Sequence, residues 1–221
     1  MVRAARRGTF ATWTEYRISM GLYQRHIAPR VVDTLCSPRA LGKWRARAVE
    51  DLVGSVIEIG FGAGRNLQHY PSSVTSITAI EPSLVMRHKA AKQIAASGRD
   101  VVFAGLDGQK LDLPDGEFDA AVVTFSLCTI PDPEAALREL RRVVKPGGEL
   151  RALEHGLAPD PKVAAWQRRL DPLEQRIADG CHLSRDVRAM VPAAGWTIIE
   201  SYSRYAPGPK PWTYFTSLRA Q

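Results

Sequence analysis

Apolar residues recur along this chain with two different periods. From Phe10 to about Val53 they fall at helical spacing, as Trp13, Tyr16, Ile18, Leu22, Tyr23, Ile27, Val31, Val32 and Leu35. Pro29 and Pro38 divide that stretch into two or three short helices. Beyond it, short apolar runs alternate with helical patterns. Runs at 55–59, 76–81, 101–104, 120–124 and 149–153 predict strands, and 197–203 and 212–218 add two more. Helices are predicted over 65–70, 82–97, 134–144, about 163–178 and about 184–194, with Pro71, Gly98 and Lys145-Pro-Gly-Gly148 as stops. This alternation gives an α/β fold: a doubly wound seven-stranded sheet, mostly parallel with an antiparallel edge hairpin, plus an N-terminal helical extension. Residues 1–53 form the helical cap in this reading, and 54–221 form one structural unit.

Composition narrows the setting. The 221 residues are 45% hydrophobic, enough for one core, and no run of about eighteen apolar residues suggests a membrane span. No apolar stretch follows the basic first residues, and the three cysteines are too few and too scattered for a disulfide framework, so a cytoplasmic location is expected. The net charge of +7 is uneven. Residues 1–50 hold ten Lys/Arg and three acids, which accounts for the whole excess. That segment is either a solvated helical face or a basic cap making weak peripheral contact with an anionic membrane surface. It lacks the aromatic-basic stripe of a nucleic-acid binder, so no specific nucleic acid is expected. Oligomeric state has no signal here.

The candidate chemistry lies at the ends of the strands. Glu58-Ile-Gly60-Phe-Gly62-Ala-Gly64 places three glycines at alternate positions after a buried run, and Glu81 ends the next strand. Glycine admits positive φ and lets a ligand approach the backbone. A dinucleotide fold would need a glycine or alanine at position 65, which is Arg65. This motif, with Leu113-Pro-Asp-Gly-Glu-Phe-Asp119 and Leu140-Arg-Arg-Val-Val-Lys-Pro-Gly-Gly-Glu149, resembles the class I S-adenosylmethionine (SAM) dependent methyltransferases, a Rossmann-like family. Leu153-Glu-His-Gly156, Gly180-Cys-His-Leu-Ser-Arg-Asp186 and Tyr23-x-x-His-Ile-x-Pro-Arg30 resemble its small-molecule branch, which includes the alkyl-thiol methyltransferases and bacterial relatives.

The resemblance implies SAM as cofactor, S-adenosylhomocysteine as product and a small-molecule acceptor, with a thiol as the leading guess. N- or O-methylation of a lipid, phenol or heterocycle is the alternative. It also implies residue roles. Glu58 would meet the methionine amino group, Gly60, Gly62 and Gly64 would pass under the cofactor, and Glu81 would take the ribose hydroxyls. Asn66 would cap a short helix or touch the methionine carboxylate. Asp107 and Gly108 would meet the adenine, and Phe125 would floor the methyl-transfer site. His155 is the candidate general base, since imidazole titrates near neutrality. Leu127, Glu154 and Tyr23 are candidates for the acceptor side. The spacing of His and Cys gives no metal site. Two rivals remain at this point: an NAD(P) oxidoreductase, disfavoured by the glycine spacing, and a non-catalytic SAM-binding scaffold.

Overall fold

The computed structural model describes residues 23–36 and 38–221. Trp13, Tyr16, Ile18, Leu22 and the arginines before them lie outside the described residues. A π-helical turn, Tyr23–Ile27, leads into α1 (Ala28–Leu35), and α2 (Pro38–Val49) follows. The body then alternates: β1 (Gly54–Ile59), β2 (Val74–Ile80), α3 (Leu84–Ser97), β3 (Val101–Gly105), β4 (Phe118–Thr124), α4 (Pro133–Val143) and β5 (Val144–His155). It closes with α5 (Pro161–Ile177), α6 (Val187–Ala193), β6 (Ile198–Tyr205), the single helical turn α7 (Lys210–Thr213) and β7 (Tyr214–Ala220).

The sheet order is β3-β2-β1-β4-β5-β7-β6. β1 to β5 pair in parallel, and β7 inserts antiparallel between β5 and β6. The doubly wound seven-stranded sheet and its antiparallel hairpin are therefore present as the alternation predicts. Helix starts follow their caps: Ser83, Asp132, Asp160 and Asp186 each accept a backbone N–H from the first turn of α3, α4, α5 and α6.

Side chains alternate across the sheet and build two layers. Ile57, Ile59, Val123 and Leu150 pack with Leu137 and Leu140 of α4 and with Trp196. Val56, Ile77 and Val122 pack on the other side with Leu52, Leu67 and Tyr70. α2 sets Leu41, Trp44 and Ala48 against Leu153 and Phe215, so it belongs to the core, while α1 stands at the carboxyl edge of the strands. The helical extension thus serves two purposes. Among the described residues no helix is long and apolar enough to cross a membrane.

Two local predictions change. Residues 65–70 form successive turns, not a helix. Their amides bond three residues back, as in Leu67 N to Gly64 O (3.2 Å) and His69 N to Asn66 O (2.8 Å), and the Asn66 side chain is pulled beneath the turn instead of capping it. β5 also starts earlier, at Val144, because α4 runs straight into it and the Pro-Gly-Gly segment is absorbed as a register shift opposite β4 between Phe118 and Ala120.

Candidate functional site

The carboxyl ends of the parallel strands open onto a cleft of about 960 Å³, counting its mouth. Its walls come from the glycine turn after β1, Glu81 after β2, Leu106 to Gly108 after β3, Phe125 and Ser126 after β4, and Asp33 and Cys36 at α1. Gly60, Gly62 and Gly64 all have positive φ, 73°, 58° and 77°. At Gly60 a Cβ would lie 1.9 Å from Ser126 Oγ, so that position is closed to any other residue. A Cβ at Gly62 would meet no atom of the described residues nearer than the Gly60 carbonyl oxygen at 3.9 Å, which leaves that side of the backbone open to a ligand.

Glu81 follows β2 by one residue and turns over the strand end into the cleft wall. Its Oε2 accepts from Gly62 N and its Oε1 from Ser83 N, both at 2.7 Å, which ties the glycine turn to β2. Asp107 accepts from Gln109 N at 2.9 Å, and Gly108 is buried, a Cβ there meeting Ile59 at 2.8 Å. Phe125 is held at φ 53°, an uncommon conformation for an aromatic residue and one associated with functional strain. Its amide donates to Leu153 O (2.8 Å), and its ring stands edge-on to Phe215 and under the Arg45 guanidinium. Glu81, Asp107, Gly108 and Phe125 thus meet around one space.

Glu58 and Asn66 do not line it. Glu58 is the penultimate residue of β1, so its side chain stands on the sheet face and cannot turn over the edge as Glu81 does. Its Oε1 accepts from Asn66 Nδ2 (2.8 Å) and its Oε2 from Tyr70 Oη (2.7 Å). Asn66 Nδ2 also donates to Thr124 Oγ1 (3.0 Å), and Arg45 Nη1 donates to both Asn66 Oδ1 and Thr124 Oγ1 (2.9 Å each). Glu58 and Asn66 are thus joined to Tyr70, Thr124 and Arg45 in a buried network and are not among the residues that line the cleft. Burial pushes the Glu58 carboxyl up to about 7, against the opposing pull of the Tyr70 hydrogen bond and the Arg45 charge.

The acceptor-side candidates also move. Leu127 is fully buried in the core under α4. Glu154 is buried, and its Oε1 accepts from Ser126 N (2.7 Å) and Leu127 N (2.9 Å), so it shapes the turn after β4 from behind. Tyr23 is exposed and donates to Ile177 O at 3.0 Å. His155 is not among the lining residues; its Nε2 stands 3.0 Å from Cys181 Sγ, close to Cys128. Burial lowers the His155 pKa, whereas a Cys128 thiolate would lift it to about 9. A hydrogen bond with Cys181 and burial hold the Cys128 thiol well above its ordinary range, so that thiolate is scarce near neutrality and the remaining upward pull on His155 comes from the Glu154 and Glu174 carboxylates. The fold thus gathers two cysteines and a histidine that spacing alone kept apart.

Sequence reasoning missed Arg45, Asp33 and Arg65. Arg45 lies in the apolar stripe Leu41, Trp44, Ala48 of α2, and a lone cation on such a stripe is the signal that could have found it. Its Nε is buried with no partner among the described residues, and it lines the cleft. Asp33 of α1 accepts two hydrogen bonds from Arg65, each 2.8 Å, and pairs with Lys89 of α3. Burial would raise its carboxyl, but these two cations hold it below its ordinary value. That latch fastens α1 across the glycine turn.

Residues 57–152 match the family Methyltransf_11, described as a methyltransferase domain. Thiol S-methyltransferase TMT1B of Rattus norvegicus is 31% identical over 175 residues, spanning 74% of this chain and 70% of that one. Phosphatidylethanolamine N-methyltransferase of Cereibacter sphaeroides is 31% identical over 170 residues, spanning 76% and 80%. Among solved structures, a SAM-dependent methyltransferase of Thermotoga maritima shares the fold with a TM-score of 0.62 at 20% identity, over 90% of this chain and 97% of that one.

Proposed function

Because this chain belongs to the SAM-dependent methyltransferases, we propose that its cleft holds SAM and serves a small neutral acceptor, a thiol first. The observation that carries the reading is one cleft lined by the open side of the Gly62 backbone, by the Glu81 carboxylate and by Arg45, whose Nε is buried with no partner among the described residues. Glu81 suits a pair of ribose hydroxyls, since a carboxylate accepts several hydrogen bonds. Arg45 suits the methionine carboxylate, which would satisfy its buried N–H with a charge-assisted bond. Asp107 and Gly108 flank the space left for the adenine. When bound, SAM supplies an activated methyl on a positively charged sulfur.

The chain's own task is then alignment and exclusion of water, which can supply up to about 10 kcal/mol of the barrier. Phe125, Ile130 and Met86 give the cleft apolar walls that favour an uncharged, lipophilic acceptor. Cys36 also lines it, but burial pushes its thiol up to about 11, so it stays protonated and does not compete for the methyl. With no histidine among the described lining residues, a thiol acceptor enters as its own thiolate. The rate should then rise with pH and level near the acceptor's pKa, so that thiols of different acidity give different inflections. A shared inflection near neutrality would restore a protein base such as His155.

The deciding assay offers SAM with an alkyl thiol, a phosphatidylethanolamine vesicle and a small phenol, and reads S-adenosylhomocysteine release. Turnover on the thiol at least tenfold above the others sustains the proposal. Turnover on the phospholipid amine alone would move the acceptor to nitrogen. Binding without turnover on any acceptor leaves a scaffold. Glu81→Ala should weaken S-adenosylhomocysteine binding about 10- to 100-fold, the effect of losing charge-assisted hydrogen bonds of about 1.5–3 kcal/mol. Unchanged affinity by calorimetry would remove the cofactor placement.

A further inference from the structure

Behind the cleft wall, three soft ligand groups that are distant in sequence converge. Cys128 lies in the turn after β4, His155 ends β5, and Cys181 lies in the loop after α5. Their two sulfurs and a ring nitrogen all lie within 4.8 Å of one another, with His155 Nε2 3.0 Å from Cys181 Sγ. Both thiols are buried. The two loops are fixed around them: His182 N donates to Cys128 O (2.9 Å), and Arg185 Nη1 donates to Ile130 O (2.6 Å) and to Leu127 O.

Hydrogen bonding alone satisfies this group poorly. Thiols are weak donors and weak acceptors, and His155 Nδ1 is buried with no partner among the described residues. Two thiolates, a neutral imidazole and one divalent ion sum to zero, and with a monovalent ion they leave a single negative charge, so either ion lowers the cost of burying the thiolates. Bonds of about 2.0–2.3 Å put ligand atoms roughly 3.3–4 Å apart, so the widest allowed separation closes by about 1 Å while His155 Nε2 and Cys181 Sγ, now 3.0 Å apart, open slightly. Thiolate with imidazole selects zinc or copper(I) over hard cations. Three protein ligands suit three-coordinate copper(I), or zinc with one position left for water.

We propose that Cys128, His155 and Cys181 form a binding site for one thiophilic ion, Zn(II) or Cu(I). The ion braces the cleft from behind, because the turn holding Cys128 also carries Ser126 and Thr129 to the cleft wall, and the loop holding Cys181 carries Asp179 there. The site is independent of the acceptor's identity.

The test uses the full chain, reduced and metal-free. It is titrated with Co(II) as the zinc probe and, in a separate anaerobic arm, with Cu(I) against a chromogenic chelator. One equivalent of ion per chain is expected. With Co(II), thiolate-to-metal charge-transfer absorption should saturate at one equivalent and disappear when Zn(II) displaces it. Cys128→Ser and Cys181→Ser should each lose most of that band, while Cys36→Ser keeps it. Because a variant can fail to fold, alkylation of the parent followed by mass spectrometry gives an independent readout. The ion should slow labelling of Cys128 and Cys181 at least tenfold and leave Cys36 unchanged. Saturation by only one of the two ions identifies the occupant. Absence of stoichiometric binding in both arms, or equal protection of all three thiols, overturns the site. So does recovery of a Cys128–Cys181 disulfide whose reduced form binds neither ion.

Discussion

Glu58 and Glu81 both follow apolar runs, yet two residues of position relative to their strand ends separate their roles. Glu58 is still inside β1 and faces the layer under the sheet; Glu81 has cleared β2 and reaches the cleft. Burial, opposed by Tyr70 and Arg45, leaves the Glu58 carboxyl at about 7, above its ordinary value. The folded chain therefore holds this proton between about pH 4.5 and pH 7, where an unfolded chain has released it, so this group's contribution to stability falls as pH rises through that window. Urea denaturation should show Glu58→Gln gaining on the parent from pH 5 to pH 8, by up to about 3 kcal/mol. A constant difference across that range would mean Glu58 is ionised throughout. At Arg45 the planar fork matters as well as the charge. Arg45→Lys should keep the fold but weaken S-adenosylhomocysteine binding about tenfold, because an ammonium cannot bridge Asn66, Thr124 and a carboxylate together. Calorimetry with decarboxylated S-adenosylhomocysteine is the control, since that ligand should not distinguish the two proteins.

At the scale of elements, the glycine turn is set in place from three sides: Glu81 on Gly62 N, the Asn66 network below, and Arg65 reaching Asp33 of α1. Lys89 in this latch is half-exposed and screened, so most of its strength lies in the bidentate Arg65 contact. Asp33→Asn should cost about 1 kcal/mol of global stability. Its clearer signature is local: faster amide exchange over α1 and faster release of S-adenosylhomocysteine in stopped flow. Exchange confined to its parent rate would show that α1 is held by its apolar contacts instead. The prediction of a helix at 65–70 failed in the same place, because the periodic pattern cannot register a side chain drawn down by a buried carboxylate.

At the scale of the molecule, β7 joins what the chain order separates. It pairs with β6 from Tyr214 and with β5 from Phe215 to its end, and Tyr214, Phe215, Leu218 and Ala220 are buried. Truncation after Pro211 should abolish cooperative unfolding, read by circular dichroism in urea, because it strips both β5 and β6 of their partner. Retention of a sharp transition would show that β1 to β5 fold alone. The amino-acid order by itself determined the alternation of strand and helix, the stop at Gly98, and the glycine turn with its acid at Glu81. Each of these depends on residues near one another in the chain: side-chain period, φ preference and capping act over a few positions. Only the tertiary structure decided that Glu58 lies beneath the cleft, that Arg45 of α2 enters it, and that His155 turns away toward Cys128 and Cys181. Those outcomes depend on which face of a strand a side chain occupies and on which distant loops the sheet brings to one edge. Distances of that kind, 79 residues from Arg45 to Thr124, leave no trace in local pattern.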